Sequence, residues 1–255
     1  MDLSVHDLRV ALGKRQALDG VSAVLRPGRV TAILGPNGSG KSTLVKALAG
    51  LIAGDVRLGE HRVDALPPRE RARRIGYLPQ DGIVHWDVTV ESLVALGRLP
   101  HRSPFAGLSP ADSEAIAAAM RATDTIDLGA RLVTELSGGE RARVLLARVL
   151  AGQPSWLLAD EPLASLDPVH QLALLDRLRA LAGAGMGVVI VLHDLVQAAR
   201  AADDVLLLNR GRVVAFGPAA EALAAAPLAE AFGVEVMLVR DEAGRMLPVP
   251  IGRTP

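Results

Sequence analysis

The stretch VTAILGPNGSGKST, residues 30–43, constrains this chain more than any other. VTAIL is a short apolar run without alternation, which suits a strand buried on both faces of a parallel sheet. The loop after it fits the pattern G-x-x-x-x-G-K-S/T, and KSTLVKALAG then reads as a helix, so strand, loop and helix occur in the required order. Glycines let such a loop wrap with its N–H groups pointing inward, where they hold anions. Gly35, Pro36, Asn37, Gly38, Ser39, Gly40, Lys41, Ser42 and Thr43 are therefore the expected nucleotide-phosphate site. Lys41 is expected to reach the β- and γ-phosphates, and the Ser42 hydroxyl to complete a Mg²⁺ shell. The chain uses lysine only at positions 14, 41 and 46 against many arginines, which makes Lys41 a marked choice.

Similar apolar runs recur at WLLA (156–159), VVIVL (188–192) and VLLL (205–208), with helical stretches between them. That alternation predicts an α/β core with right-handed crossovers. In DPVHQLALLDRLRALAG, Leu174, Leu178 and Leu181 share a face, Pro168 suits the first turn and Gly183 suits the stop. The first thirty residues behave differently. DLRVAL and GVSAVL alternate apolar with polar and meet a turn at Pro27-Gly28, which predicts antiparallel strands with one wet face. From about 87 to 150 no strong strand run occurs. Thr89 caps a predicted helix TVESLVALGR, and Ser109-Pro110 starts SPADSEAIAAAMRA with Asp112 near its positive end. The expected division is a core of residues 1–86 and 151–255, with a helical insertion at 87–150. The alanine-rich tail after 217 reads as helix with some strand.

Composition narrows the function. Half of the 255 residues are hydrophobic, enough to bury one large or two small domain cores. Basic and acidic residues number 28 each, which argues against nucleic acid as the main partner. The absence of cysteine excludes disulfides, thiolate catalysis and cysteine zinc sites. MDLSVHDLRV lacks a signal peptide's basic start and apolar stretch, and no run approaches the ~18 apolar residues of a membrane helix. The expectation is a soluble, cytoplasmic chain whose membrane role comes through a partner. In WLLADEP, a buried strand ends in Asp160-Glu161, where open α/β sheets bind ligands. Asp160 is expected to anchor Mg²⁺ and Glu161 to polarise an attacking water.

One element remains, LSGGE at 136–140, a second glycine-rich turn at the start of a helix. GPNGSGKST, LSGGE, LLADEP, SLD and VLHD in this order resemble the ATP-binding cassette (ABC) ATPases over nearly the whole chain. The resemblance implies the phosphate-loop NTPase fold of that family: a mixed central sheet, an N-terminal antiparallel β subdomain and an inserted α-helical subdomain. It also implies an ATPase using Mg²⁺ that works as a head-to-tail homodimer. Ser137, Gly138, Gly139 and Glu140 would then serve the nucleotide held by the partner's phosphate loop, since a helix start presents free N–H groups and a positive end.

Further roles follow from the resemblance residue by residue. Gln80 in GYLPQ matches the glutamine that touches Mg²⁺ or water and links the core to the insertion. Asp167 in SLD matches an aspartate at the dimer seam, and it is equally a helix cap before Pro168. His193 matches the switch histidine that contacts the γ-phosphate. Glu140 stands where many members have glutamine, and Ala159 where a larger apolar residue is usual. The adenine-stacking aromatic of the family falls on Leu12, and no Phe, Tyr or Trp precedes Tyr77.

VALGRLPH and LHDLVQAARAADDVLLLNRGRVVAFG resemble importers of iron–siderophore complexes, haem and cobalamin. That implies integral permease subunits, a periplasmic or extracellular solute-binding protein, and a peripheral place on the cytoplasmic face of the inner membrane. The same ATPase motifs also occur in exporters, in lipid transport and in mechanical ATPases. Trp86 is read either as an exposed anchor for the permease or as core packing.

Overall fold

The computed structural model describes residues 1–80, 87–103, 107–164 and 166–254. The chain opens with a hairpin of β1 (Leu3–Leu12) and β2 (Arg15–Leu25). β3 (Val30–Leu34) follows and leads through the glycine loop to α1 (Lys41–Leu48). β4 (Val56–Leu58) and β5 (His61–Arg62) extend the hairpin into an antiparallel sheet of order β2-β1-β4-β5. α2 (Pro68–Arg74) and β6 (Ile75–Leu78) come next. Three helices then follow, α3 (Val90–Ala95), α4 (Pro110–Ala122) and α5 (Gly138–Ala151).

The second half alternates strand and helix: β7 (Trp156–Ala159), α6 (Pro168–Gly183), β8 (Gly187–Val191), α7 (Leu195–Ala201) and β9 (Asp204–Asn209). β10 (Arg212–Pro218), α8 (Ala219–Ala222), α9 (Ala225–Phe232) and a terminal hairpin of β11 (Val234–Arg240) and β12 (Met246–Arg253) complete the chain.

The central sheet has the order β10-β9-β3-β8-β7-β6. All its neighbouring pairs are parallel except β10 against β9, so the sheet is mixed, as the family resemblance implies. β3, β7 and β8 are buried at every residue, which is why their sequences do not alternate. Successive side chains nevertheless enter different cores. Ile33, Leu158, Val189 and Leu206 pack with α1 and the antiparallel sheet. Ala32, Leu157, Ile190 and Leu207 pack with α5, α6 and α7. The α/β fold class and the antiparallel start are thus as the sequence predicts.

Boundaries differ in places. α3 stops at Ala95, and residues 96–101 tighten into a 3₁₀ turn that contains Pro100, because proline cannot donate into an α-helix. α6 runs through Gly183, and the left-handed residue behind it is Gly185, at φ 99°. IGYL, which did not stand out as a strand, forms the edge strand β6 because β7 is there to pair with it. Trp86 lies outside the described residues.

The helical layer hangs on a buried ion pair. Ser109 and Asp112 form a reciprocal capping box at the start of α4. Arg98 Nε donates to Asp112 Oδ1 at 2.8 Å, and its Nη1 donates to Ala151 O and Gln153 Oε1. One guanidinium therefore ties the start of α4 to the end of α5. Hydrogen bonds from Ser109, then Arg98, hold the Asp112 carboxyl well below the usual carboxylate range. Its folded pKa lies under its unfolded value, so its contribution is complete above about pH 4 and is lost as pH falls through the folded value. Asp112→Asn is expected to lower Tm at pH 7, and the gap to wild type should close progressively below about pH 4. Thermal unfolding at a series of pH values checks this, and a gap independent of pH would contradict it.

Candidate nucleotide site

The glycine loop is built by close backbone approach. A Cβ on Gly35 would lie 2.1 Å from Leu208 O, and one on Gly40 would lie 2.5 Å from Ala17 O. Gly40 also stands at φ 107°, in the region that favours glycine. Lys41 opens α1 and is buried, with Nζ donating to Gly35 O at 2.8 Å and Pro36 O at 3.1 Å. Burial pushes its ammonium pKa down, and the charges of Glu161 and Asp160 partly offset that.

The parallel register pairs Leu78 with Ala159, which places Gln80, Asp160 and Glu161 just beyond neighbouring strand ends. Asp160 is 2% exposed. Ser42 Oγ donates to its Oδ1 at 3.1 Å. Burial pushes the Asp160 carboxyl up, against the Ser42 bond that pulls it down. Burial and the neighbouring Asp160 push the Tyr77 phenol up to about 12. Glu161 adopts a left-handed φ of 50°, a conformation that costs a non-glycine residue about 1–3 kcal/mol and that gathers at functional sites. Both its oxygens are engaged. Gln80 Nε2 donates to Oε2 at 2.6 Å, and His193 Nε2 lies 2.6 Å from Oε1.

Lys41, Ser42, Gln80, Asp160, Glu161 and His193 thus gather at the carboxyl end of the parallel strands. The donor set fits a hard divalent cation: a hydroxyl, a buried carboxylate and the amide oxygen that Gln80 leaves unused toward Glu161. Among the described residues no three His, Asp or Glu side chains are grouped so as to hold a metal ion.

Leu12, half exposed, lines a cleft of about 330 Å³ together with Lys41, Ser42, Thr43 and Glu161. Arg15 lines it too, and its Nη2 donates to Gly38 O at 2.6 Å. Arg15 and Tyr77 were not singled out from the sequence. Tyr77 lies inside GYLPQ, which was, and only the fold turns the two toward the site.

The LSGGE residues line another surface. Ser137 caps α5, accepting from Glu140 N at 3.3 Å, while its own N–H donates to Glu140 Oε2 at 2.8 Å. Glu140 also pairs with Arg131 at 2.9 Å, so its carboxylate is turned to its own chain. Gly138 and Gly139 form the first turn of α5. Asp167 caps α6 through His170 N and pairs with His170 Nδ1 at 2.8 Å. None of these five residues lines the Lys41 cleft.

The sequence pattern of the ABC transporter family matches residues 18–164, more than half of the chain. The chain belongs to the ABC transporter family. It is an ATPase of the ATP-binding cassette type. It is 43% identical to the hemin import ATP-binding protein HmuV of Pseudomonas fluorescens, over 98% of this chain and 100% of that one. The ferric enterobactin transport ATP-binding protein FepC of Escherichia coli is 39% identical, over 98% and 94%. Among solved structures, a metal-chelate type ABC transporter in an inward-facing conformation matches with TM-score 0.84 and 28% identity, over 98% of this chain and 97% of that one. No helix among the described residues is long and apolar enough to cross a membrane.

If Leu12, which lines the cleft, takes the place of the family's stacking aromatic, base selectivity should be weak. Base–aromatic stacking is worth roughly 1–3 kcal/mol per base in single-strand binding. Without it, affinity rests on the phosphate loop, which does not distinguish bases. GTP should therefore bind and be hydrolysed within about tenfold of ATP, a gap of ~1.4 kcal/mol. Leu12→Tyr should tighten ATP binding without raising kcat, because stacking is similar in ground and transition states. Competition titrations with both nucleotides check this, and strong ATP preference in the wild type would contradict it.

Proposed function

We propose that this chain is the ATPase subunit of a bacterial importer for an iron chelate, and that it acts as a head-to-tail homodimer beneath a pair of permease subunits. The observation that carries this reading is the match, over nearly full length, to ATPases named for hemin import and for ferric enterobactin transport. Its place is the cytoplasmic face of the cell membrane, and a solute-binding protein outside delivers the chelate to the permease. Cobalamin transport, handled by cassettes of similar pattern, is the neighbouring alternative for cargo.

The site residues divide the work. The Gly35–Thr43 loop and Lys41 bind the phosphates of ATP. Mg²⁺, when held by Ser42, Asp160 and Gln80 oxygens, neutralises charge on the β- and γ-phosphates. Glu161 orients the attacking water and accepts its proton. Its paired contacts to Gln80 and His193, both at 2.6 Å, fix where that carboxylate points. His193, held against Glu161, would contact the γ-phosphate. Ser137, Gly138 and Gly139 offer the first-turn N–H groups of α5 to the γ-phosphate on the partner copy. Glu140 supports that turn through the capping box instead of touching nucleotide, and Asp167 lies at the seam. ATP joins the two copies, and its hydrolysis releases them.

The reading is tested in proteoliposomes holding this ATPase with its permease and binding protein. Radiolabelled hemin, a ferric siderophore and cobalamin are offered separately. One of the iron chelates should accumulate inside only when ATP is supplied on the ATPase side, and Lys41→Ala should abolish it. Accumulation of cobalamin alone, or ATP-driven movement outward, would contradict the assignment.

A further inference from the structure

The catalytic carboxylate and the switch histidine sit on different loops, after β7 and after β8. Their 2.6 Å contact is a single interaction between two chain segments, one of them bearing an exposed side chain. Two half-buried glutamines form a second connection between those segments. Gln171 lies in the first turn of α6, four residues after the cap Asp167. Its Nε2 donates to Leu163 O at 3.2 Å and to Leu166 O at 3.0 Å. Gln197 lies in the first turn of α7, and its backbone N–H donates to the cap Asp194 at 2.8 Å. Gln197 Nε2 donates to Gln171 Oε1 at 2.7 Å.

These contacts close a ring. From Glu161 it passes to His193, along the chain through Asp194 to Gln197, across to Gln171, and back through Leu163 to Glu161. The direction of each amide is determined by chemistry. Two backbone carbonyls can only accept, so Gln171 must face them with its NH₂ group. Its oxygen then faces Gln197, which must present a donor. A glutamine at each position satisfies the ring in one orientation only.

We propose that Gln171 and Gln197 are positioning residues for hydrolysis. They hold the helix that follows His193 against the segment between Glu161 and Asp167, so that base, switch histidine and seam residue keep one fixed geometry. Neither touches the nucleotide cleft. The proposal rests on the roles given above to Glu161 and His193.

The test is steady-state hydrolysis with a separate measurement of nucleotide binding. Gln197→Glu keeps the size of the side chain but sets an acceptor against Gln171 Oε1. It should lower kcat about tenfold or more, as small misplacements of catalytic groups do, with ATP affinity changed less than about twofold. Gln197→Lys restores a donor and should recover most of the rate. Gln171→Ala also removes the bonds to Leu163 O and Leu166 O, so it should cost more than Gln197→Ala and about what the double variant costs, since the shared bond is lost once. If Gln197→Glu fails to fold, Gln197→Met against Gln197→Lys makes the same comparison of donor against no donor. A kcat within about twofold of wild type in the folded variants would overturn the proposal. So would fully additive losses, or a lowered Tm with kcat and ATP affinity intact. Glu161→Gln is measured alongside. Full turnover in that variant would overturn the assignment of the base, whatever the glutamine pair does.

Discussion

Two opposite charges, Lys41 and Asp160, are withdrawn from water at the carboxyl end of a buried parallel sheet. Burial disfavours the charged form of each: the lysine is pushed down and the aspartate up. Neither is neutralised by a direct ion pair with the other. Lys41 donates to the loop carbonyls of Gly35 and Pro36, and Asp160 accepts from Ser42. On the proposed reading, a polyphosphate beside the lysine and a divalent cation beside the aspartate would supply what each group lacks. On that reading, the burial that makes the site costly by itself is what favours a nucleotide with its cation.

The rest of the fold serves that end. The all-apolar strands bury the sheet on both faces, and the register of β6 against β7 delivers Gln80 beside Glu161. β7 and β8 are hydrogen-bonded neighbours, so the loops behind them bring Glu161 within 2.6 Å of His193. The helical layer is fastened separately, by Arg98 and Asp112, which leaves its LSGGE turn capped on its own terms. A helix start already capped by its own Ser137 and Glu140 can present its remaining first-turn N–H groups outward. On the proposed reading, in which each binds phosphate, this gives a physical reason for two glycine-rich elements on different surfaces of one chain.

Much of this was legible in the sequence because it is local. Buried strands read as unbroken apolar runs, caps as Ser109 or Asp167 before proline, and the phosphate loop as glycines in fixed spacing before Lys41. What was not legible depends on tertiary approach. Tyr77 meets Asp160 only through strand pairing, and Arg15 meets Gly38 only because the hairpin folds over the loop. Gln171 and Gln197 look like ordinary helix-surface residues until α6 and α7 pack side by side. Gly183 was expected to stop α6, but the turn needing a left-handed residue came two positions later, at Gly185. Helix propensity and turn geometry compete there, and a glycine is tolerated inside a helix at a cost of about 1 kcal/mol.

The central claim is that each ATP lies between Lys41 of one copy and Ser137 of the other. Mixed dimers measure it most directly. When Lys41→Ala sits on one chain and Ser137→Arg on its partner, both defects fall in the same composite site, and the other site should still trap nucleotide. When both substitutions sit on one chain and the partner is wild type, each site carries one defect, and neither should trap it. Equal trapping in the two arrangements would mean that Ser137 serves neither site, and trapping only when both changes share a chain would mean that each chain completes its site alone; either result would contradict the account.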